Sequence, residues 1–175
     1  SSGDDNQIAR LKARGFLVEI DEAVIPALTR RFWELTAGVL VLVEPGSRAG
    51  FARLRSARAT LIAAGAQILA PCTHNGSCAM SDSDWCHFSV RLARSREHLA
   101  VNSAAVPYED EKFSYLIAAR QGAPAFDSRI LAPVHHGKAG HRLRLCSSAG
   151  VQDATIGARE PRFKAARKWQ WGDGI

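Results

Sequence analysis

The chain has 175 residues, 46% of them hydrophobic and 23% charged, a balance that suits one globular domain with a real core and sets aside disorder as the default. Against 17 Asp and Glu stand 23 Lys and Arg, a formal net charge of +6. Such a charge favours a polyanionic partner, nucleic acid first, because clustered cations gain affinity by releasing counterions from phosphates. No apolar run approaches the roughly 20 residues of a membrane helix, and the opening SSGDDNQ is polar and acidic, unlike a targeting peptide, so a soluble interior protein with no membrane partner is expected.

The first residue is Ser1 and the single methionine is Met80, from which a longer natural product is expected. Residues 7–35 read as helical pieces around a bend. Ile8, Leu11 and Phe16 are spaced for one face, and Val24, Ile25, Leu28, Phe32 and Leu35 repeat at helical intervals. Asp21 is placed to cap the second piece, whose Pro26 fits only near the start. Residues 1–37 are thus expected as a helical lead-in to a unit spanning 38–175.

After Gly38, the run from Val39 to Val43 is uninterruptedly apolar, which predicts a strand buried on both faces as in a parallel sheet, ended by Glu44, Pro45 and Gly46. Phe51, Leu54, Leu61 and Ile62 predict an amphipathic helix of about four turns, stopped near Gly65. A short apolar segment through Ile68 and Leu69 completes a strand, helix, strand unit of the α/β kind. Residues 71–89 fit no period; a loop this long in a small domain needs a reason, and metal ligation supplies one. Farther on, Phe113, Tyr115, Leu116 and Ile117 predict a strand. His141 to Cys146 alternates before a turn at Ser147–Gly150, and Val151 to Ile156 is expected to pair back across it. The tail, 159–175, mixes basic residues with Phe163, Trp169 and Trp171.

All four cysteines fall into one pattern. Cys72, Cys78 and Cys86 sit in the irregular loop, separated by five and then seven residues, and Cys146 ends a predicted strand. A loop can converge several ligands while a rigid element fixes the last, so a four-thiolate centre is expected. An even cysteine count also permits disulfides, but nothing marks the chain as secreted. Gaps of five and seven match no common zinc knuckle, which favours iron and sulfur; zinc held by the cysteines, or by three of them with His74 or His87, stays open. His74, His87 and Trp85 are expected around the ligands, orienting the loop or donating hydrogen bonds to sulfur, with Trp85 and Phe88 screening water. Four protein ligands close the coordination shell, so the centre is expected to be structural.

Other groups carry less. Glu109, Asp110 and Glu111 are adjacent, so they point apart and read as a solvated cluster or local salt bridges, with Lys112 to hand. His135, His136 and His141 have no nucleophile or carboxylate spaced to work with them and read as exposed loop histidines. Ser147 and Ser148 lack a nucleophile elbow. Arg48, Arg53, Arg55 and Arg58 share one predicted helix, Arg58 toward its apolar side; Arg91, Arg94 and Arg96 follow the cysteine loop. Arg162, Lys164, Arg167 and Lys168, interleaved with Phe163, Trp169 and Trp171, suit phosphates and unstacked bases, though Trp169 and Trp171 suit closure of the core equally; these four with Arg91 and Arg94 are the candidate RNA contacts.

The loop PCTHNGSCAMSDSDWCHFSVRLAR, preceded by VLVEPGSRAGF and followed by YEDEKFSYLIAAR, GHRLRLCSSAG and ARKWQWGD, resembles the Rsm family of methyltransferase-like proteins of the small ribosomal subunit, best known from mitochondria and present in bacteria. The resemblance spans roughly residues 38 to 173. It implies a class I methyltransferase (Rossmann-like) fold with an inserted iron–sulfur centre, association with small-subunit rRNA, and a part in late small-subunit assembly, in the bacterial cytoplasm or the mitochondrial matrix. By position, Cys72, Cys78, Cys86 and Cys146 match the family's cluster cysteines and imply a [4Fe–4S] cluster. Thr73 and Ala79 stand where the family commonly has prolines. No Gly-rich turn precedes Val39, so the chain corresponds by resemblance to the C-terminal half, and S-adenosylmethionine is expected only in a complete protein. Three functions follow as expectations: a small-subunit assembly factor, an rRNA methyltransferase whose cofactor loop lies upstream, or a zinc-stapled RNA-binding or interaction domain.

Overall fold

In the computed structural model, residues 20–93 and 108–175 are described. Ile8, Leu11, Phe16, Arg94 and Arg96 therefore lie outside the described residues. Asp21 accepts a hydrogen bond from the Ala23 amide (3.0 Å) and opens a 3-10 turn, Glu22–Val24, that runs into α1 (Ile25–Leu35). Pro26 sits in the first turn, where a missing N–H breaks no helical bond. The buried face of α1 is Ile25, Leu28, Thr29 and Trp33, while Leu35, expected to face inward, is 68% exposed. The larger Trp33 ring takes the core position one turn beyond Thr29 and rotates the helix away from the Leu35 side. Arg120 closes the other end: its Nη2 donates to the Trp33 and Thr36 carbonyls (2.7 and 3.1 Å) with the guanidinium over the Trp33 ring, a favourable place for a cation at a helix C-terminus.

β1 (Val39–Pro45) is antiparallel to β4 (Tyr108–Ala119), with Val39 opposite Ala119 and Pro45 opposite Phe113. The expected parallel strand buried on both faces is thereby corrected. Leu42 and Glu44 point into the core, whereas Val39, Val41 and Val43 are each more than half exposed. An apolar run five residues long reads the same whether one face is covered or two. Ser47 accepts from the Gly50 amide (3.1 Å) and caps α2 (Arg48–Ala63), which leads to β2 (Gln67–Ala70) through a Gly65 held at φ 80°. Gly50 also lets α2 press on β1, since a Cβ there would meet the Pro45 carbonyl oxygen.

β2 is also antiparallel to β4, on the edge opposite β1, so β1 and β2 run parallel to each other with β4 between them. The expected strand, helix, strand unit is present but split. β3 (Phe88–Ala93) pairs with residues 108–113 of β4, and β2 with residues 117–119 on the same edge. Residues 71–87 leave one of these strands and return in the other, so the cysteine loop spans the stretch of β4 around Ser114–Leu116 that neither strand covers. The first core joins Ile25, Trp33, Leu42, Leu54, Leu61, Ile68 and Leu116, so α1 packs into it.

A second antiparallel sheet follows. β7 (Gly140–Ser147) pairs along one edge with β8 (Gly150–Gly157) and along the other with β5 (Ser128–Ile130) and β6 (His135–His136). The β7–β8 hairpin turns at Ser148 and Ala149 with Gly150 at φ 115°, as the alternation predicts. Ile130, Leu143, Leu145 and Ile156 form its core with Phe163 and Ala166 of the short α3 (Phe163–Ala166), and Trp169 packs against it. The chain end returns to β5: Gly172 donates to the Ile130 carbonyl (2.9 Å) and Ile175 to that of Ser128 (2.9 Å).

Candidate metal centre

The cysteine loop is tied at each stage to elements around it. Asn75 accepts from the Ile68 amide (2.9 Å) and donates to Gln67 Oε1 (2.6 Å), folding the start of the loop onto β2. Ser114, buried in β4, donates to the Cys86 carbonyl (2.8 Å). Trp85 Nε1 donates to the Gly46 carbonyl (2.9 Å), and Asp84 pairs with Arg144 of β7 (2.7 Å), joining loop and second sheet.

Cys72, Cys78, Cys86 and Cys146 are free thiols, and all four line one cavity between the two sheets. Phe51, Leu54, Met80, Leu116 and Leu131 supply its apolar wall; Arg58 and Arg129 are its buried cations, and the more exposed Arg55, paired with Asp82, also borders it. Burial pushes the Cys86 thiol far above the ordinary range, with the other three cysteines adding to the shift. Burial likewise raises Cys146 to about 11, and raises Cys72 against the opposing pull of Arg58. Thiols gathered in so dry a place resist ionisation on their own, and a bound cation reverses that preference by taking the thiolate as ligand. Among the described residues no three His, Cys, Asp or Glu side chains form a group able to hold a metal ion as they stand; the four sulfurs border a shared void without closing on one point.

The residues expected around the cysteines stand beside the loop but do not line the cavity. Trp85 stacks on His87 (5.0 Å between centroids), His87 meets the edge of Trp171, and the Arg48 guanidinium lies over Trp85. The His74 carbonyl accepts from Arg58 Nη2 (2.7 Å), so this residue contributes through its backbone. Phe88 is buried between Phe113 and Tyr115 on β4. Sequence reasoning missed Met80, Arg129 and the role of Arg58. The one available signal was Arg58 itself, four residues after Leu54 and three before Leu61, on the apolar side of its helix.

Of the candidate RNA contacts, Arg91 is committed to Asp110 directly across the β3–β4 ladder (2.7 and 2.9 Å), so this acid's partner is Arg91 and not the adjacent Lys112. Arg162, Lys164, Arg167 and Lys168 are all exposed. Their aromatic companions are not free: Phe163 is buried, Trp169 packs against the second core, and Arg162 and Arg167 lie over those two rings. His135 and His136 are exposed on β6, and the reading of His141 as exposed is corrected. His141 is a strand residue 2% exposed, stacked on Phe163, with its Nδ1 3.3 Å from that of His136.

Among the described residues no helix is long and apolar enough to cross a membrane. Residues 15–175 match the family model described as mitochondrial small ribosomal subunit Rsm22. The chain is also 31% identical over 163 residues to the human protein named ribosome assembly protein METTL17, mitochondrial, an alignment covering 83% of this chain and 34% of that relative, so the chain spans about a third of the relative's length. A match across nearly the whole chain establishes that it belongs to the Rsm22 family of the mitochondrial small ribosomal subunit.

Proposed function

We propose that this chain is the cysteine-bearing part of a small-subunit assembly factor, in which a structural [4Fe–4S] centre held by Cys72, Cys78, Cys86 and Cys146 fastens the loop to the second sheet and so fixes a basic surface for rRNA. The observation that carries the reading is the shared cavity: three thiols of one loop and a fourth from β7 face a single apolar void. The donor set fits such a group. Four sulfurs disposed around a void suit a polynuclear core better than a single tetrahedral ion, which needs its ligands drawn to one point.

When bound, the group supplies a closed, fully liganded crosslink between elements otherwise joined by few contacts. The protein's own residues do the rest. Met80, Phe51 and Leu131 exclude water, and the bonds of Asn75 and Ser114 hold the loop backbone in place. The split unit of β1, α2 and β2 around β4 is read as the late part of a methyltransferase-like sheet, and the family's site of action points to the mitochondrial matrix.

The test is to recover the complete tagged protein from cells and sequence the RNA that comes with it. Enrichment of small-subunit rRNA with immature ends, together with accumulation of unfinished small subunits when each cysteine is changed to serine, is the expected result. Methyl transfer from S-adenosylmethionine to that rRNA would make the protein an enzyme instead, and absence of rRNA would remove the assembly reading.

A further inference from the structure

Arg58 and Arg129 are two buried guanidiniums, 6% and 8% exposed, and both line the cysteine cavity. Arg58 comes from α2. Its Nε lies 3.3 Å from Cys72 Sγ, and its Nη2 donates to the His74 carbonyl two residues along. Arg129 comes from the opposite side. It sits directly across the β5–β7 ladder from Cys146, and its guanidinium donates to the carbonyls of Pro71 (2.9 Å) and Gly172 (2.7 Å).

Neither has a carboxylate partner among the described residues. The ion pairs among the described residues join Arg31 to Glu34, Arg53 to Glu44, Arg55 to Asp82, Arg91 to Asp110 and Arg144 to Asp84. Taking a guanidinium out of water without a counter-charge is costly, so two such groups converging on one void mark a place where negative charge belongs. Four thiolates around a core of charge two positive carry that surplus.

We infer that Arg58 and Arg129 are the positioning counter-cations of the four-thiolate centre, Arg58 through a hydrogen bond to Cys72 Sγ and Arg129 by setting its charge beside Cys72 and Cys86. The inference rests on the metal-centre reading and adds to it what balances the charge. It also explains why Arg129 reaches from the second sheet to the residue before Cys72: one side chain ties the two halves of the ligand set together.

The test uses the complete protein purified without oxygen, compared with Arg58→Met, Arg58→Lys and Arg129→Met. The readouts are metal content, midpoint potential, and the rate at which a ferrous chelator strips the iron. Each Met variant is expected to lose iron about 10–100-fold faster, the usual effect of removing a residue that supports a ligand. Its midpoint is expected at a more negative potential, because a neighbouring cation favours the reduced, more negative core. Arg58→Lys keeps the charge and loses the fork, so it should recover most of the potential but less of the retention. Since a merely structural arginine would not move the potential, Met variants that fold and keep the wild-type midpoint and release rate overturn the inference. If the Met variants do not fold, Arg58→Lys that releases iron as slowly as the wild type overturns the hydrogen-bond assignment. Wild-type protein that carries no iron overturns the metal-centre reading itself, a different failure.

Discussion

The Glu44 carboxylate is 2% exposed and takes both Nε and Nη2 of Arg53 on Oε2 (3.0 and 2.7 Å). Removing one member of a buried pair strands the other, so Glu44→Ala is expected to lower unfolding stability by about 3–5 kcal/mol in urea titrations, while Glu44→Leu combined with Arg53→Met should restore much of it. Equal losses in the single and double variants would contradict the pairing. On the surface, the hydrogen bond from Arg91 holds the Asp110 carboxyl below its ordinary range. A depressed carboxylate stabilises the fold above its unfolded pKa and loses that contribution as the pH falls through the folded value. Arg91→Gln should therefore make Asp110 titrate at higher pH by NMR, and an unmoved titration would remove the pair. Individual residues were unevenly legible. The cysteines stood out by spacing alone. Arg53 and Arg58 read only as basic residues of one helix, Arg58 toward its apolar side, because a sequence shows helical phase and not the acid on the neighbouring strand or the thiol in the loop beyond it.

At the level of elements, periodicity located α2, β4 and the β7–β8 hairpin and misjudged α1 and β1. Both errors have one cause: an apolar residue signals burial, and the sequence cannot say which of several apolar residues the partner surface will accept. Leu61 is wholly buried under the first sheet and Leu35 is 68% exposed. Leu61→Ala should accordingly cost about 2–5 kcal/mol and Leu35→Ala less than about 0.5 kcal/mol, measured by chemical denaturation of this chain. Similar costs at the two positions would reverse the orientation of α1. In β1 the uniform Val and Leu run hid an alternating strand, and the pairing direction came from β4, nearly seventy positions later in the chain.

Across the whole molecule, two sheets with separate cores meet at the cysteine cavity, and the contacts that cross include Arg129 to Pro71 and Arg144 to Asp84. The centre proposed at that seam would join the two sheets as well as hold the loop, since the four cysteines come from both sides. The basic tail lies on the second sheet with Arg162, Lys164, Arg167 and Lys168 exposed. Changing these four to Gln is expected to weaken RNA binding and to flatten its dependence on log salt by about 0.7 for each single-strand phosphate contact removed; an unchanged slope would place the RNA elsewhere. The sequence disclosed the tail's charge and left its rings open between RNA and the core; Phe163 and Trp169 are occupied by the second core. The most direct test of the four-thiolate centre is anaerobic purification of the complete protein with iron, sulfide and zinc analysis and visible absorption, beside the four single Cys→Ser variants. About four irons and four sulfides per chain with a broad band near ~400 nm, lost in every variant, are expected. Stoichiometric zinc without iron, or a full iron complement in any one variant, would contradict the four-thiolate cluster.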